Sequence, residues 1–396
     1  MNEFVSVSDK DKIQTSHLGA RQIIEPLGLI LFLVLFFGYV GSEMGLTNMF
    51  NTLFNTAHDL LLQTVLFLMG ITVLAGALSR LLTEFHVINL LERLLMPLMR
   101  PVFNLPGRAA MAAMMTFFSD NPAIISLTKD KRFSSSFKPH ELISLTNFGT
   151  AFGMGLIVIT FMATLESAPG QNFLNAALVG LAGAMVGAVI STRLMQRLTA
   201  SDVKAISLNN LNPKKSELPE DHDNSPVWLR GLNSILDGGK SGVEMGMAII
   251  PGVLIISTIV MVLTFGPSAE GYTGAAYEGV ALLPKLAGEL SWLFQLLFGF
   301  DHPELVAFPI TSLGAVGAAM SLVPNFISQG IISESDIAVF TAMGMCWSGY
   351  LSTHTAMLDT LGFRKLTSKA IIAHTVGGLC AGVAARYIYL LAQNLF

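Results

Sequence analysis

Charge is scarce in this sequence. Of 396 residues, 23 are Lys or Arg and 27 are Asp or Glu, 13% in all, where soluble domains carry about 25%. Hydrophobic residues make up 52% of the chain, and its mean hydropathy is +0.60. These values exclude an ordinary water-soluble globule. Several windows of about 20 apolar residues point instead to an integral membrane protein with the lipid bilayer as its partner. Cysteine is nearly absent. Cys346 and Cys380 both lie in apolar segments, which excludes a disulfide framework and zinc-type spacing. Net charge is −4, so no nucleic-acid partner is implied. A Walker-type phosphate loop is missing, which argues against direct use of ATP. H-E-x-x-H and comparable catalytic signatures are missing too, and the chain is expected not to be an enzyme.

What is present begins with Met115–Leu127, MTFFSDNPAIISL. Its middle, Ser119-Asp120-Asn121-Pro122, puts a carboxylate, two hydrogen-bonding side chains and a helix breaker between apolar runs. Pro122 removes a backbone donor and biases Asn121 away from helix. A charged group at bilayer depth costs roughly 2.5 to 3.5 kcal/mol on insertion scales. Broken backbone survives there only when buried in protein or lining a wet cavity. The expected structure is a re-entrant helical hairpin whose tip binds something.

Taken in order, residues 1–22 are polar, lack the features of a signal peptide and read as a cytoplasmic tail. Residues 23–56 hold a first span, about Ile23–Val40, and an outside loop. Residues 57–196 read as a first repeat. It holds a span (about Ala57–Leu78), an amphipathic interfacial helix with Leu90, Leu91, Leu94, Leu95 and Leu98 at helical spacing, the hairpin, and two spans (about Leu142–Thr164 and Leu174–Leu194). Residues 197–241 read as a hydrophilic cytoplasmic linker. Residues 242–396 read as a second repeat, with spans at about Val243–Phe265, Ile337–Leu358 and Ala370–Leu391, and a second hairpin over about Glu304–Pro324. The fold class is thus all-α polytopic, with about seven transmembrane helices plus two re-entrant hairpins in an inverted repeat.

The repeat shows in an ungapped alignment at an offset of 195. It places Thr116 on Thr311, Ala123 on Ala318, Ser126 on Ser321, Leu127 on Leu322, Thr146 on Thr341, Gly149 on Gly344, Leu156 on Leu351, Thr160 on Thr355 and Met162 on Met357. These are nine identities over the 47 positions from 116 to 162. An odd number of crossings per half makes the halves inverted. Basic residues agree: segments 41–56 and 165–171 have no Lys or Arg, and 267–301 holds only Lys285. The N-terminus is expected in the cytoplasm and the C-terminus outside, in a cell (inner) membrane. Broken helices in matched positions of inverted halves point to a transporter's substrate site near the midplane.

The chain resembles the nucleoside-recognition, or gate, domain membrane proteins, which are related to the core of concentrative nucleoside transporters. The likeness rests on Ser119-Asp120-Asn121-Pro122 at the first tip and on HELISLTNFGTAFGMG, with Glu141-Leu142 and Gly149. It covers about residues 57–394. The second hairpin, PITSLGAVGAAMSLVP, departs from the nucleoside transporters' second tip, and the sixth span has no Asn-Phe-Ser sodium pattern. The resemblance implies a solute held between two hairpin tips.

The expected function is a secondary active transporter of a small polar solute, nucleoside-like by the resemblance. It would work by alternating access, with sodium or a proton as coupling ion, no cofactor, and no metal site assigned. The alternatives are a non-transporting membrane assembly or signalling protein of the gate-domain type, or an enzyme embedded in the membrane using Asp120 and His354. Candidate substrate-binding residues are Ser119, Asp120 and Asn121 at the first tip, with a helix cap as the competing role for each. At the second tip they are Thr311, Ser312 and Gly314, with tight helix packing as the competing role. Asn147 and Thr150 share one face of the third span. Ser348, Thr353 and His354 interrupt the sixth. The many Gly and Ala residues would permit a homo-oligomer.

Overall fold

The computed structural model describes residues 20–129, 131–205 and 226–395. The amino-terminal tail and the middle of the central linker lie outside the described residues. Helix dominates, as apolar surroundings require of a backbone that cannot bond to water. The strands among the described residues form one small hairpin, Glu166–Ala168 with Gln171–Asn172.

Helix α1 (Ala20–Met44) is greasy all round. Ile24, Leu29, Phe32 and Leu35 are exposed, and only its end packs, through Val40 and Met44. Helix α2 (Leu46–Asp59) passes through a π-helical turn (Leu60–Val65) into α3 (Leu66–Glu84). Amphipathic α4 (Val87–Leu98) buries Ile88 and turns Leu90 and Leu94 outward. The first hairpin is α5 (Ala109–Phe118) and α6 (Pro122–Lys129), followed by a short turn of helix, α7 (Lys131–Ser134). Next come α8 (Pro139–Thr150), α9 (Gly155–Thr164) and α10 (Leu174–Ala205).

The second half repeats this order. Helix α11 (Val227–Pro251) also enters a π-helical turn (Gly252–Ser257), then α12 (Thr258–Thr264). Interfacial α13 (Leu282–Gly288) and α14 (Ser291–Phe298) follow. The second hairpin is α15 (Ala307–Ser312), α16 (Val316–Met320) and α17 (Val323–Ser328). The chain closes with α18 (Glu334–Trp347), α19 (Ser352–Thr360) and α20 (Thr367–Leu395). Helices α8 and α18 start alike. Glu141 bonds the Lys138 N–H at 2.8 Å, and its repeat partner Asp336 bonds the Ser333 N–H at 2.8 Å.

Equivalent crossings of the two halves, α2–α3 with α11–α12 and α10 with α20, pack antiparallel, so the repeats are inverted. In the first pair, α3 runs against α11: Gly76 meets Gly238, Thr72 meets Gly242 and Met69 meets Gly246. Along α10 and α20, Gly183 meets Ala385, Gly187 meets Ala381, and Ser191 meets Gly377. Small residues let these backbones approach closely, and the Thr72 hydroxyl donates across the first pair to the Gly242 carbonyl at 2.8 Å.

Four sequence boundaries shift. Among the described residues six helices are long and apolar enough to cross a membrane. The sixth span is split after Trp347 into α18 and α19, because the chain turns through Ser348–Leu351. The third span is likewise split at residues 151–154, with Met154 in the left-handed region at φ 54°. Segment 41–56 is mostly helix rather than loop. It is held by Asn48 to the Tyr272 carbonyl (2.9 Å), Asn55 to the Gly274 carbonyl (2.8 Å) and the Tyr277 N–H to Thr56 Oγ1 (2.9 Å). Both ends of the 197–241 stretch are helical. Lys369 pins the extension of α10 through Asp202 at 2.6 Å, and the glycines of α11 dock it on α3.

Two expectations follow. A methyl group on Gly242 would lie 2.3 Å from the Thr72 carbonyl oxygen. Gly242→Ala should therefore destabilise the protein by about 1–3 kcal/mol, read as a lower thermal unfolding midpoint in detergent. Unchanged stability would show that the α3–α11 contact is looser than described. In the loop before α13, burial pushes the Glu278 carboxyl up. Its hydrogen bonds from the Thr273 hydroxyl (2.7 Å) and the Thr273 and Gly274 amides (3.0 and 2.9 Å) outweigh that and hold it below the usual carboxylate range. A depressed carboxylate contributes stability above its unfolded value of about 4.3 and loses it as pH falls through the folded value. Amide protection at Thr273 and Gly274, corrected for intrinsic exchange rates, should hold at pH 5 to 7 and fall below about pH 4. In Glu278→Gln it should be low throughout.

Candidate functional site

Pro122 opens α6, so the chain between the two hairpin helices, Ser119–Asn121, is free of helix. The first orphan N–H groups of α6 are met by backbone: Ala123 bonds the Asp120 carbonyl at 3.0 Å and Ile124 the Asn121 carbonyl at 3.1 Å. The Asp120 side chain does not cap those groups. Its Oδ1 accepts from the Asn121 N–H at 2.6 Å and from Asn121 Nδ2 at 3.4 Å. Its second carboxylate oxygen has no hydrogen bond among the described residues.

Asn121 is the point where the two halves meet. It is 2% exposed, and its Nδ2 donates to Ser348 Oγ at 2.9 Å, in the break between α18 and α19. A methyl group on Gly153, in the break between α8 and α9, would lie 2.3 Å from Asn121 Oδ1 and 2.2 Å from Ser348 Oγ. One on Gly349 would lie 2.6 Å from Asn121 Nδ2 and 2.4 Å from Thr353 Oγ1. Glycine is required where backbone approaches this closely. The break at 151–154 is tied to the hairpin as well, since the Met154 N–H donates to the Thr116 carbonyl at 3.2 Å. Asn121 Oδ1 is buried without a hydrogen-bond partner. A buried acceptor left unpaired costs about 1–3 kcal/mol, so this atom is a natural contact for a donor carried by a solute.

Ser119, at the same tip, is exposed and lines a cavity of about 310 Å³. That cavity runs between α3, α4, α11 and the hairpin, with Ser79, Arg80, Asn89, Glu92 and Ser241 on its walls. A larger cavity of about 490 Å³ lies between α4, α5 and α10. Its lining is wholly apolar, including Leu91, Phe117, Phe148 and Met185, so it offers a polar solute nothing to bond.

The structure thus brings Ser119, Asp120, Asn121, Ser348 and Thr353 into one neighbourhood. It treats the other candidates differently. Asn147 donates to Ser191 Oγ (3.0 Å) and to the Ala370 carbonyl (2.9 Å), away from the tip. Thr150 and His354 face each other, Oγ1 to Nε2 at 3.4 Å. At the second hairpin, Thr311 bonds the Ala307 carbonyl (2.6 Å) and Ser312 the Pro309 carbonyl (2.9 Å), both within their own helix. A methyl group on Gly314 would point at Ile256. That hairpin is seated by packing: Phe308 stacks on Phe340 at 4.1 Å, and Val316 fills the space beside Gly344.

Gly153, Gly349 and His374 were not singled out in the sequence. The repeat carries a signal for the first, since the offset of 195 puts Gly153 on Ser348. His354 is not a lone histidine, because its ring centroid lies 4.4 Å from that of His374.

Residues 65–166 match the family model described as Gate, nucleoside recognition. They run from α3 to the strand after α9 and include Asn121 and Gly153. An uncharacterized protein of Alkalihalophilus pseudofirmus (strain ATCC BAA-2126 / JCM 17055 / OF4) is 24% identical over 293 residues, 70% of this chain. The chain spans 58% of that relative's length. Among solved structures, a double variant of CNTnw in an outward-facing state superposes with a TM-score of 0.53 at 15% identity, over 94% of this chain and 87% of that one. CNTnw in an inward-facing substrate-bound state gives 0.52 at 15% identity, over 93% and 86%. The all-helical fold is therefore that of concentrative nucleoside transporters.

Gly153→Ala should force Asn121 and Ser348 apart. A fall in stability of about 1–3 kcal/mol is expected, with faster amide exchange at both broken segments, 151–154 and 348–351. Exchange confined to the first segment would mean that the tip does not couple the two halves.

Proposed function

We propose that this chain is a secondary active transporter that moves a small polar, nucleoside-like solute by alternating access. The observation that carries this reading is Asn121. It bridges the two broken crossings, with an unpaired amide oxygen aimed at the break and the exposed Ser119 beside it on a partly polar cavity. Broken helix ends present unpaired N–H and C=O groups, and inverted halves give a site that either side of the membrane can reach in turn. The match to the nucleoside-recognition model and the likeness in fold to CNTnw support the same class of solute.

In this reading Asn121, Ser348 and Thr353 hydrogen-bond the solute, replacing the Asn121–Ser348 contact. Asp120 accepts a hydrogen bond from a solute hydroxyl or amine at its second carboxylate oxygen. Ser119 stands at the entrance from the Arg80 cavity, which opens to the cytoplasm if the amino-terminus lies inside as the basic residues suggest. The second hairpin contributes shape and the dipoles of its short helices rather than hydroxyl groups. A coupling ion, sodium or a proton, drives the cycle, and the small-residue helix faces leave room for a homo-oligomer.

The test is uptake into proteoliposomes from a panel of nucleosides, organic acids and amino acids. At least one nucleoside should accumulate. Asn121→Ala and Ser348→Ala should each lose about tenfold or more of that uptake, since a site built to hydrogen-bond its solute is left with unpaired groups. Both variants should keep the helical content of the unmodified protein. Full uptake in both would overturn the assignment of the site. No uptake of any panel member would favour the non-transporting assembly reading.

A further inference from the structure

A buried polar chain runs beside the tip, from Asn147 to His374 and close to His354. His354 on α19 is 0% exposed and His374 on α20 is 1% exposed. Their hydrogen bonds decide which nitrogens carry protons. His374 Nε2 contacts the Cys346 carbonyl, which can only accept, so this nitrogen holds the hydrogen. Its Nδ1 must then accept from the Ser191 hydroxyl at 3.0 Å, and Ser191 Oγ in turn accepts from Asn147 Nδ2 at 3.0 Å. Both nitrogens of His374 are committed.

His354 is different. Its Nδ1 lies 2.6 Å from the Tyr350 carbonyl and so donates. That leaves Nε2 with a lone pair. Its polar neighbour is Thr150 Oγ1 at 3.4 Å, whose hydroxyl hydrogen can also turn to the Thr146 carbonyl, 2.7 Å away. Turned to the ring it donates to His354 Nε2, and turned to the carbonyl it leaves that lone pair open. A proton added there would make it a donor, and the Thr150 oxygen is placed to accept. Turning that one hydroxyl hydrogen therefore gives Nε2 a hydrogen-bond partner in either protonation state.

We propose that Nε2 of His354 binds the proton that couples to solute movement. This rests on reading the chain as a transporter. Tyr350, whose carbonyl holds His354, lies in the same broken segment as Ser348 and Gly349, which contact Asn121. A charged imidazole pulls harder on that carbonyl, since hydrogen bonds from ionised donors are the stronger ones, and so acts on the segment that holds the tip. The proton enters from one side and leaves to the other, with no net chemistry. The neighbouring imidazole limits the site to one proton, because two charges 4.4 Å apart in a buried place repel strongly.

The elements packed on α19 are α6, α8, α20 and the turn Arg364–Leu366. Their titratable groups are Lys129 on α6 and Asp120 just before it, His140 and Glu141 on α8, Lys369, His374, Cys380, Arg386, Tyr387 and Tyr389 on α20, and Arg364 and Lys365 in the turn. Helix α19 itself adds Asp359. Glu141 pairs with Arg100, Lys369 with Asp202, and Asp359 with Arg364. His374 alone among the described residues of this set has a ring contact with His354.

The test uses full-length protein, labelled with nitrogen-15 at histidine, in lipid nanodiscs. One imidazole should take up a proton between about pH 8 and the pH at which the protein unfolds, and that signal should vanish in His354→Gln. In Thr150→Val the same signal should remain with proton affinity about tenfold weaker, as expected for a lost hydrogen bond to a charged group. This second variant decides the matter if the first does not fold. No signal that depends on residue 354 or on Thr150 in that range overturns the proposal. Proteoliposome uptake supplies a separate arm. Solute accumulation driven by sodium, with no proton movement, overturns the coupling while leaving the transporter reading intact. A His354 titration in a protein that moves no panel solute supports the proton site and counts against transport.

Discussion

Within an apolar slab a backbone that leaves the helix must find its hydrogen-bond partners inside the protein. That constraint governs this structure, because two of its crossings are broken at matched places and two hairpins stop partway. The breaks at 151–154 and 348–351 survive because each is enclosed. The first bonds the hairpin backbone at Thr116, and the second is held by Asn121 and continued by Tyr350 and His354. Enclosure needs helices that pack closely around the breaks, and the antiparallel pairs α3–α11 and α10–α20 supply it through glycines that admit no side chain. Packing of small residues is what holds helices together where lipid is as apolar as they are.

The two halves share an architecture but not a chemistry. Gly149 and Gly344 are identical in the repeat and play one part, each receiving a hairpin side chain, Ile124 or Val316. The tips diverge. The first presents a serine, a carboxylate and an amide, and the second turns its hydroxyls back on its own helix. The breaks diverge too, with Gly153 where the second half has Ser348. A small residue on one side and a hydroxyl on the other let one asparagine reach both. The functional asymmetry of the site thus comes from a few substitutions in a symmetric frame.

Much of this was legible. Scarce charge and apolar windows announced the membrane, Ser-Asp-Asn-Pro announced the first hairpin, and the spaced identities announced the repeat. The interruption of the third and sixth spans was not legible, because Ala-Phe-Gly-Met and Ser-Gly-Tyr-Leu are tolerated in membrane helices. They unwind here because their backbone groups have better partners across the fold. The hydroxyls at Thr311 and Ser312 looked like a tip for the opposite reason. Composition cannot tell a hydroxyl that faces a cavity from one that bonds the preceding turn.

By itself the sequence determined that the chain lives in a bilayer, that it is helical, that it repeats with inversion, and that residues 119–122 break a helix. Each of those follows from local rules of hydropathy, proline stereochemistry and spacing. The tertiary structure alone decided that Asn121 spans both halves, that Asn147 belongs to a chain ending at His374, and that His354 Nε2 faces the Thr150 hydroxyl. Those facts depend on contacts between residues up to 227 positions apart. Hydrogen bonds are short and directional, so which buried polar groups are paired and which are left free is settled only when distant segments are brought together.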